Sequence, residues 1–213
     1  MGSKMLTGSM LVFGPILAII MLFVEPGGTT DEESFNVMAQ NLLDSPTLGG
    51  ITTVGWTIAV LAMTVGTAYL ARSMQGEQKV GSDLAGLAVV LSFLAAGIVA
   101  VTAGLEMSAF DTGLADQGAD ASIALAIGEG IFRGMFILTG AASLLLGIAI
   151  VRQKNLKQIA GGLTGLFGAL LLLVWVIPIE GEAFGMVGFI GFLGYPIMTI
   201  VLGVLTIMQA RSE

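Results

Sequence analysis

SIALAIGEGIFRGMFILTGAASLLLGIAIVRQK, Ser122 to Lys154, sits inside the stretch 121–157 and decides the fold. It is apolar for longer than the ~20 residues that carry a helix across a hydrocarbon core. Its two arginines, Arg133 and Arg152, stand 19 residues apart. At about 1.5 Å per helical residue that is roughly 28 Å, close to a core thickness of about 30 Å, so one arginine marks each face of a bilayer. Glu129, four residues before Arg133, shares its helical face and supplies a partner for the cation.

The rest of the chain fits this reading. Of 213 residues, 55% are hydrophobic and 11% charged, against about 25% charged in an ordinary soluble domain. The predicted class is therefore an all-α integral membrane protein. Apolar segments long enough to span fall at about 5–24, 48–71, 84–105, 122–151, 158–179 and 184–209. The first lacks a small-x-small cleavage site after it and reads as a retained helix.

Charge sets the orientation. Lys4, Arg72, Lys79, Arg152, Lys154, Lys157 and Arg211 fall on one face, which the positive-inside rule makes cytoplasmic, with both termini there. The opposite face holds Glu25, Asp31, Glu32, Glu33, Asp44, Glu106, Asp111, Asp116, Asp120, Glu129, Glu180 and Glu182, with Arg133 the one cation among them. Between the first two spans, Thr30-Asp-Glu-Glu33 has capping-box spacing, and Phe35, Met38, Ala39, Leu42 and Leu43 follow with helical periodicity. This predicts a short amphipathic helix at about 31–44 covering the outer mouth of the bundle, stopped at Pro46.

Three helical hairpins in one orientation would explain a weak repeat. Leu84-Ala-Gly-Leu87 aligns with Ile159-Ala-Gly-Gly162, and Glu106-Met-Ser-Ala-Phe110 with Glu180-Gly-Glu-Ala-Phe184. Gly130 with Gly134 and Gly161 with Gly165 have the spacing that permits close helix approach. Pro15 and Pro196 are expected to kink their spans. Trp56 and Trp175 are expected as interfacial anchors.

Several functions are disfavoured by composition. With no Cys and no His, disulfides, thiolate or imidazole metal sites and a histidine general base are gone, and no cofactor or metal is expected. A net charge of −7 argues against nucleic acid. No nucleophile-base pair or phosphate-cradling motif appears, so the chain reads as a non-enzyme.

The constellation that stands out is Glu106, Glu129 and Arg133 near the outer boundary, as a binding site or as an interfacial ion pair. Thr64, Ser92, Thr102, Thr139, Ser143 and Thr199 are candidates for a polar path, though such hydroxyls commonly bond their own helix. The Gly-rich interior favours a non-catalytic subunit or scaffold that packs on itself or on other membrane proteins. The alternatives are a small-solute or ion transporter or channel with an outer acidic vestibule, and lipid binding between helices.

Two stretches carry a likeness to a known family: Asp31-Glu-Glu-Ser-Phe-Asn-Val-Met-Ala-Gln-Asn41, leading into the second span, and Gly130-Ile-Phe-Arg-Gly134 continuing through Gly147, Arg152 and Gly161-Gly162. On them the chain resembles a prokaryotic family of multi-pass membrane proteins with six to seven helices, classed as a domain of unknown function. The resemblance implies the topology and a prokaryotic cytoplasmic membrane, and brings no activity.

Overall fold

A computed structural model describes residues 2–25, 35–109, 120–154, 156–176 and 182–212. Among them the chain is helical throughout, with no strand: α1 (Gly2–Val24), α2 (Phe35–Asp44), α3 (Pro46–Ser73), α4 (Ser82–Ala109), α5 (Ala121–Gln153), α6 (Gln158–Val176) and α7 (Glu182–Ser212). Six of the seven, all but α2, are long and apolar enough to cross a membrane. The protein is a multi-pass, membrane-embedded helical bundle.

Each spanning helix packs against its neighbours in chain order, and α1 packs against α7, so the six close into a ring. In lipid the hydrophobic effect does little to hold helices together, and close packing and polar contacts carry the association instead. Glycines supply the close packing. A Cβ added at Gly8 would meet the Gly203 carbonyl oxygen at 2.8 Å, and one at Gly203 would meet the Gly8 carbonyl oxygen at 2.8 Å, so the α1 and α7 backbones touch where the ring closes. Between α5 and α6, Gly140 lies on Gly168, and Gly147 on Gly161 and Gly165.

The Gly161–Gly165 spacing is therefore used for close approach. Gly130 is not: a Cβ there would meet nothing, and at Gly134 it would make only an ordinary 3.6 Å contact with Ile98. Gly130 is exposed on α5, and no helix backs it there.

Helix ends depart from the expected spans in ways that matter for the site. Pro46 ends the preceding pattern by opening α3, standing in its first turn, where a missing N–H costs nothing. α4 runs on to Ala109, so Glu106 lies within the helix rather than beyond it. α5 begins behind Asp120, whose Oδ1 accepts from the Ser122 and Ile123 amides at 2.9 and 3.3 Å and from the Ser122 hydroxyl at 2.7 Å. The Ser122 hydroxyl and the Ile123 amide hold this fully exposed carboxyl below its ordinary range. α7 begins at Glu182, which the sequence pattern places in a loop.

The outer amphipathic helix is present over the described part of its expected range, Phe35–Asp44, and the Thr30–Glu33 capping box lies outside the described residues. α2 buries Ala39 and Leu42 against Ala109 of α4 and Leu125 of α5. It caps the bundle end.

Candidate functional site

Beneath α2 the ring opens into a cavity of about 340 Å³, and three carboxylates line it: Glu25 just past α1, Glu106 on α4 and Glu129 on α5. Thr52, Thr53 and Trp56 of α3, Phe132 and Phe136 of α5, Trp175 of α6 and Phe192 of α7 complete much of its wall. With Leu22 of α1 and with Met38 and Leu42 of α2, all seven helices contribute to the one vestibule.

Helical spacing explains the α5 face. Glu129, Phe132 and Phe136 fall at i, i+3 and i+7, which stacks an acid above two rings on one stripe. The rings then form a continuous aromatic cluster. Phe132 lies 6.5 Å from Trp56 and meets Phe136 edge-on at 4.9 Å. Phe136 stacks on Trp175 at 5.4 Å with planes 5° apart, and meets Phe192 edge-on at 5.8 Å. Such offset and edge-to-face pairs favour a fixed arrangement beyond their buried area. The floor of the vestibule is therefore shaped by packing.

The carboxylates differ in their surroundings. Glu129 accepts from Arg133 Nε at 3.4 Å, a long and exposed contact with side chains 40% and 58% accessible. Glu106, half-buried, lies against the Thr53 hydroxyl and within electrostatic reach of Glu25 and Glu129. Among the described residues neither Glu25 nor Glu106 has a cationic partner. Glu25 keeps an exposed side chain, and partial loss of water at the vestibule wall raises its carboxyl above the ordinary range.

Of the three residues singled out from sequence, Glu106 and Glu129 share the cavity, while Arg133 stands outside its lining. Arg133 instead pairs with Glu129 and spreads over the Trp175 ring, tying α5 to α6. The two tryptophans expected as anchors at the outer span ends are both half-buried, and both wall the vestibule. Their sequence position is compatible with both roles.

Below the aromatic floor lies an apolar cavity of about 80 Å³, which shares Leu22, Trp56, Phe136 and Phe192 with the vestibule. α1 and α7 continue through their prolines, and Pro15 and Pro196 both line this second cavity. Tyr195 forms part of its lower wall and also faces a third space of about 10 Å³ with Thr67, Ser143, Thr164 and Thr199. That is room for about one water molecule. Three spaces thus follow one another down the ring, each sharing side chains with the next.

The hydroxyls mostly serve their own helices. Thr64, Thr102 and Thr199 donate to the carbonyls of Val60, Val99 and Tyr195, and Thr139 to the Met135 sulfur. The Ser92 hydroxyl is buried without a partner among the described residues. Of the expected polar-path residues, only Ser143 and Thr199 line the third space. Tyr195, which periodicity hides in an apolar span, joins them, its phenol beside the Thr67 and Thr199 hydroxyls.

Among the described residues the carboxylates do not gather closely enough to hold a metal ion. What the arrangement offers is two carboxylates, Glu25 and Glu106, without a cationic partner among the described residues, in a cavity walled by aromatic rings, features that attract an organic cation. Compared with family models, with curated proteins and with solved structures, the chain of this membrane protein shows no match to any of them.

Proposed function

We propose that the protein binds a small organic cation in the outer vestibule and passes it along the ring axis, as a transporter or channel rather than an enzyme. The observation that carries this reading is the convergence of Glu25, Glu106 and Glu129 on one cavity floored by five aromatic residues, with a second cavity sharing Trp56, Phe136 and Phe192 of that floor. Carboxylates concentrate the cation at the mouth, and the rings accept it as it sheds water. Among the described residues no carboxylate, Lys or Arg lines the two lower cavities, which fits a solute that carries its own charge better than a proton relay. Seven of the eight cations at the end opposite the vestibule support a cytoplasmic-membrane orientation with both termini inside and the vestibule outside.

Uptake of tetramethylammonium, a small cation that does not cross a bare bilayer, into proteoliposomes tests the reading, with Glu106→Gln compared with wild type. Wild-type uptake above protein-free vesicles, cut several-fold by Glu106→Gln, is the expected result. Equal uptake with and without protein would remove it.

A second reading, a subunit held against its own kind or another membrane protein, has a specific feature in its favour. Gly97, Ala100 and Gly104 are exposed on one face of α4, and a Cβ at either glycine would meet nothing. Such a face admits a second helix closely. Loss of a cross-linked dimer in Gly97→Leu, with cation uptake unaffected, would separate this role from the first.

A further inference from the structure

At the end of the bundle opposite the vestibule, two neighbouring surface features share one side chain. An apolar groove of about 440 Å³ runs between α5 and α6, walled by Leu144, Ile148, Val151 and Leu166 and floored by glycines that include Gly162. A more polar pocket of about 550 Å³ lies between the α3–α4 turn and the end of α5, bordered by Gln78, Lys79, Arg152, Gln153 and Lys154. Arg152 lines both. We propose that together they form a binding site for a single anionic phospholipid, with an acyl chain in the groove and the headgroup phosphate in the basic pocket.

The commitment to lipid rests on charge complementarity and on continuity. An apolar slot open to the hydrocarbon accepts a chain, and cations at the membrane surface between helices accept an anionic headgroup. Among the described residues no carboxylate pairs with Arg152 or Lys154, so their charge is free to meet a phosphate. The pocket is also built rather than incidental. The Arg152 stem lies against Gly81, whose positive φ of 81° turns the chain into α4, a place where a Cβ would stand 3.6 Å from Arg152 Cδ. Gln153 Nε2 donates to the Met74 carbonyl at 2.7 Å, pinning the end of α5 to the end of α3. Lys154 caps α5 in the left-handed region, φ 52°, where glycine is the ordinary occupant. The backbone accepts a disfavoured residue there, and the pocket gains a cation.

Arginine suits the shared position because its planar fork matches phosphate geometry. Gly162 gives the groove an independent test: a Cβ there would meet nothing in the protein, so a larger side chain enters the groove without forcing the helices apart.

The experiment is a titration of the purified full-length protein, read by native mass spectrometry and by thermal stability, with phosphatidylglycerol and with phosphatidylcholine of the same chains. Wild type is expected to retain phosphatidylglycerol preferentially and to be stabilised by it. Arg152→Gln and Lys154→Gln should each weaken that preference by about fivefold, and Gly162→Leu should weaken retention of both lipids. Equal retention of the two lipids by wild type would overturn the proposal. So would protection by inorganic phosphate alone equal to that by the lipid, or a groove occupied by a second copy of the chain whose dimerisation is abolished by Gly162→Leu. If Gly162→Leu does not fold, the two charge variants decide the question.

Discussion

The guanidinium of Arg133 on α5 lies over the indole of Trp175 on α6, its central carbon 5.5 Å from the ring centroid, while Phe136 stacks on that indole at 5.4 Å. One ring therefore joins the exposed ion pair to the vestibule floor. A cation over an aromatic face at an exposed site contributes roughly 0.5–1 kcal/mol, and the long, exposed Glu129 contact contributes little beside it. In a double-mutant cycle, Arg133→Met and Trp175→Leu are expected to couple by about that amount in thermal or denaturant unfolding. Additive effects would show that the ring and the cation act independently.

The α5–α6 seam predicts a sharp contrast between two glycines only a short distance apart. A Cβ at Gly147 would collide with the Gly165 backbone amide and stand 2.6 Å from the Gly161 carbonyl oxygen, atoms that cannot rotate away. Gly147→Ala should destabilise the bundle by roughly 1–3 kcal/mol. Gly162→Ala fills open space and exchanges a poor helix former for the best one, so it should be neutral or stabilising by up to about 1 kcal/mol. Unfolding in a mixed-detergent titration separates the two outcomes.

Glu25 predicts a pH dependence of definite sign. Its side chain is exposed, yet partial loss of surrounding water disfavours the charge and raises the carboxyl above the ordinary range. A raised carboxylate adds stability that is complete below the unfolded value of about 4.3 and disappears as pH rises through the higher folded value. Glu25→Gln should therefore match wild type in acid and become the more stable protein as pH climbs through that window. A constant difference at every pH would contradict it.

Asp120 carries the opposite sign. The Ser122 hydroxyl and the Ile123 amide lower its carboxyl, so its contribution is present above the ordinary aspartate range and is lost as pH falls through the depressed value. Asp120→Ala should lower thermal stability at neutral pH and should do so less in strong acid. Asp120→Asn, which keeps an acceptor for the two amides, should recover most of the loss.

The six spans and the polarity of their ends are legible because length, apolarity and charge placement are one-dimensional properties. The Arg133–Arg152 separation measures a bilayer without any knowledge of packing. The vestibule is legible only in part. Glu106 and Glu129 stand out as acids close to hydrocarbon, whereas Glu25 looks like a span-end acid until the ring brings α1 beside α3. Phe132, Phe136 and Phe192 are hidden because a phenylalanine in an apolar helix is equally at home facing lipid. The signal available was the i, i+3, i+7 alignment of Glu129 with Phe132 and Phe136, which places an acid and two rings on one stripe. Tyr195 is hidden by the same logic, its hydroxyl acquiring meaning only beside Thr67 on another helix.

The meeting of Gly8 with Gly203 has a kinetic side. Helices α1 to α6 can assemble with their chain neighbours as synthesis proceeds, but the contact that shuts the circle joins α1 to α7, the first and last of the six described spans. Until α7 leaves the ribosome, α1 keeps an edge turned to lipid or to whatever insertion factor shelters it, and the axial cavities have an open side. Docking of α7 on α1 is thus the step that first encloses the axial cavities.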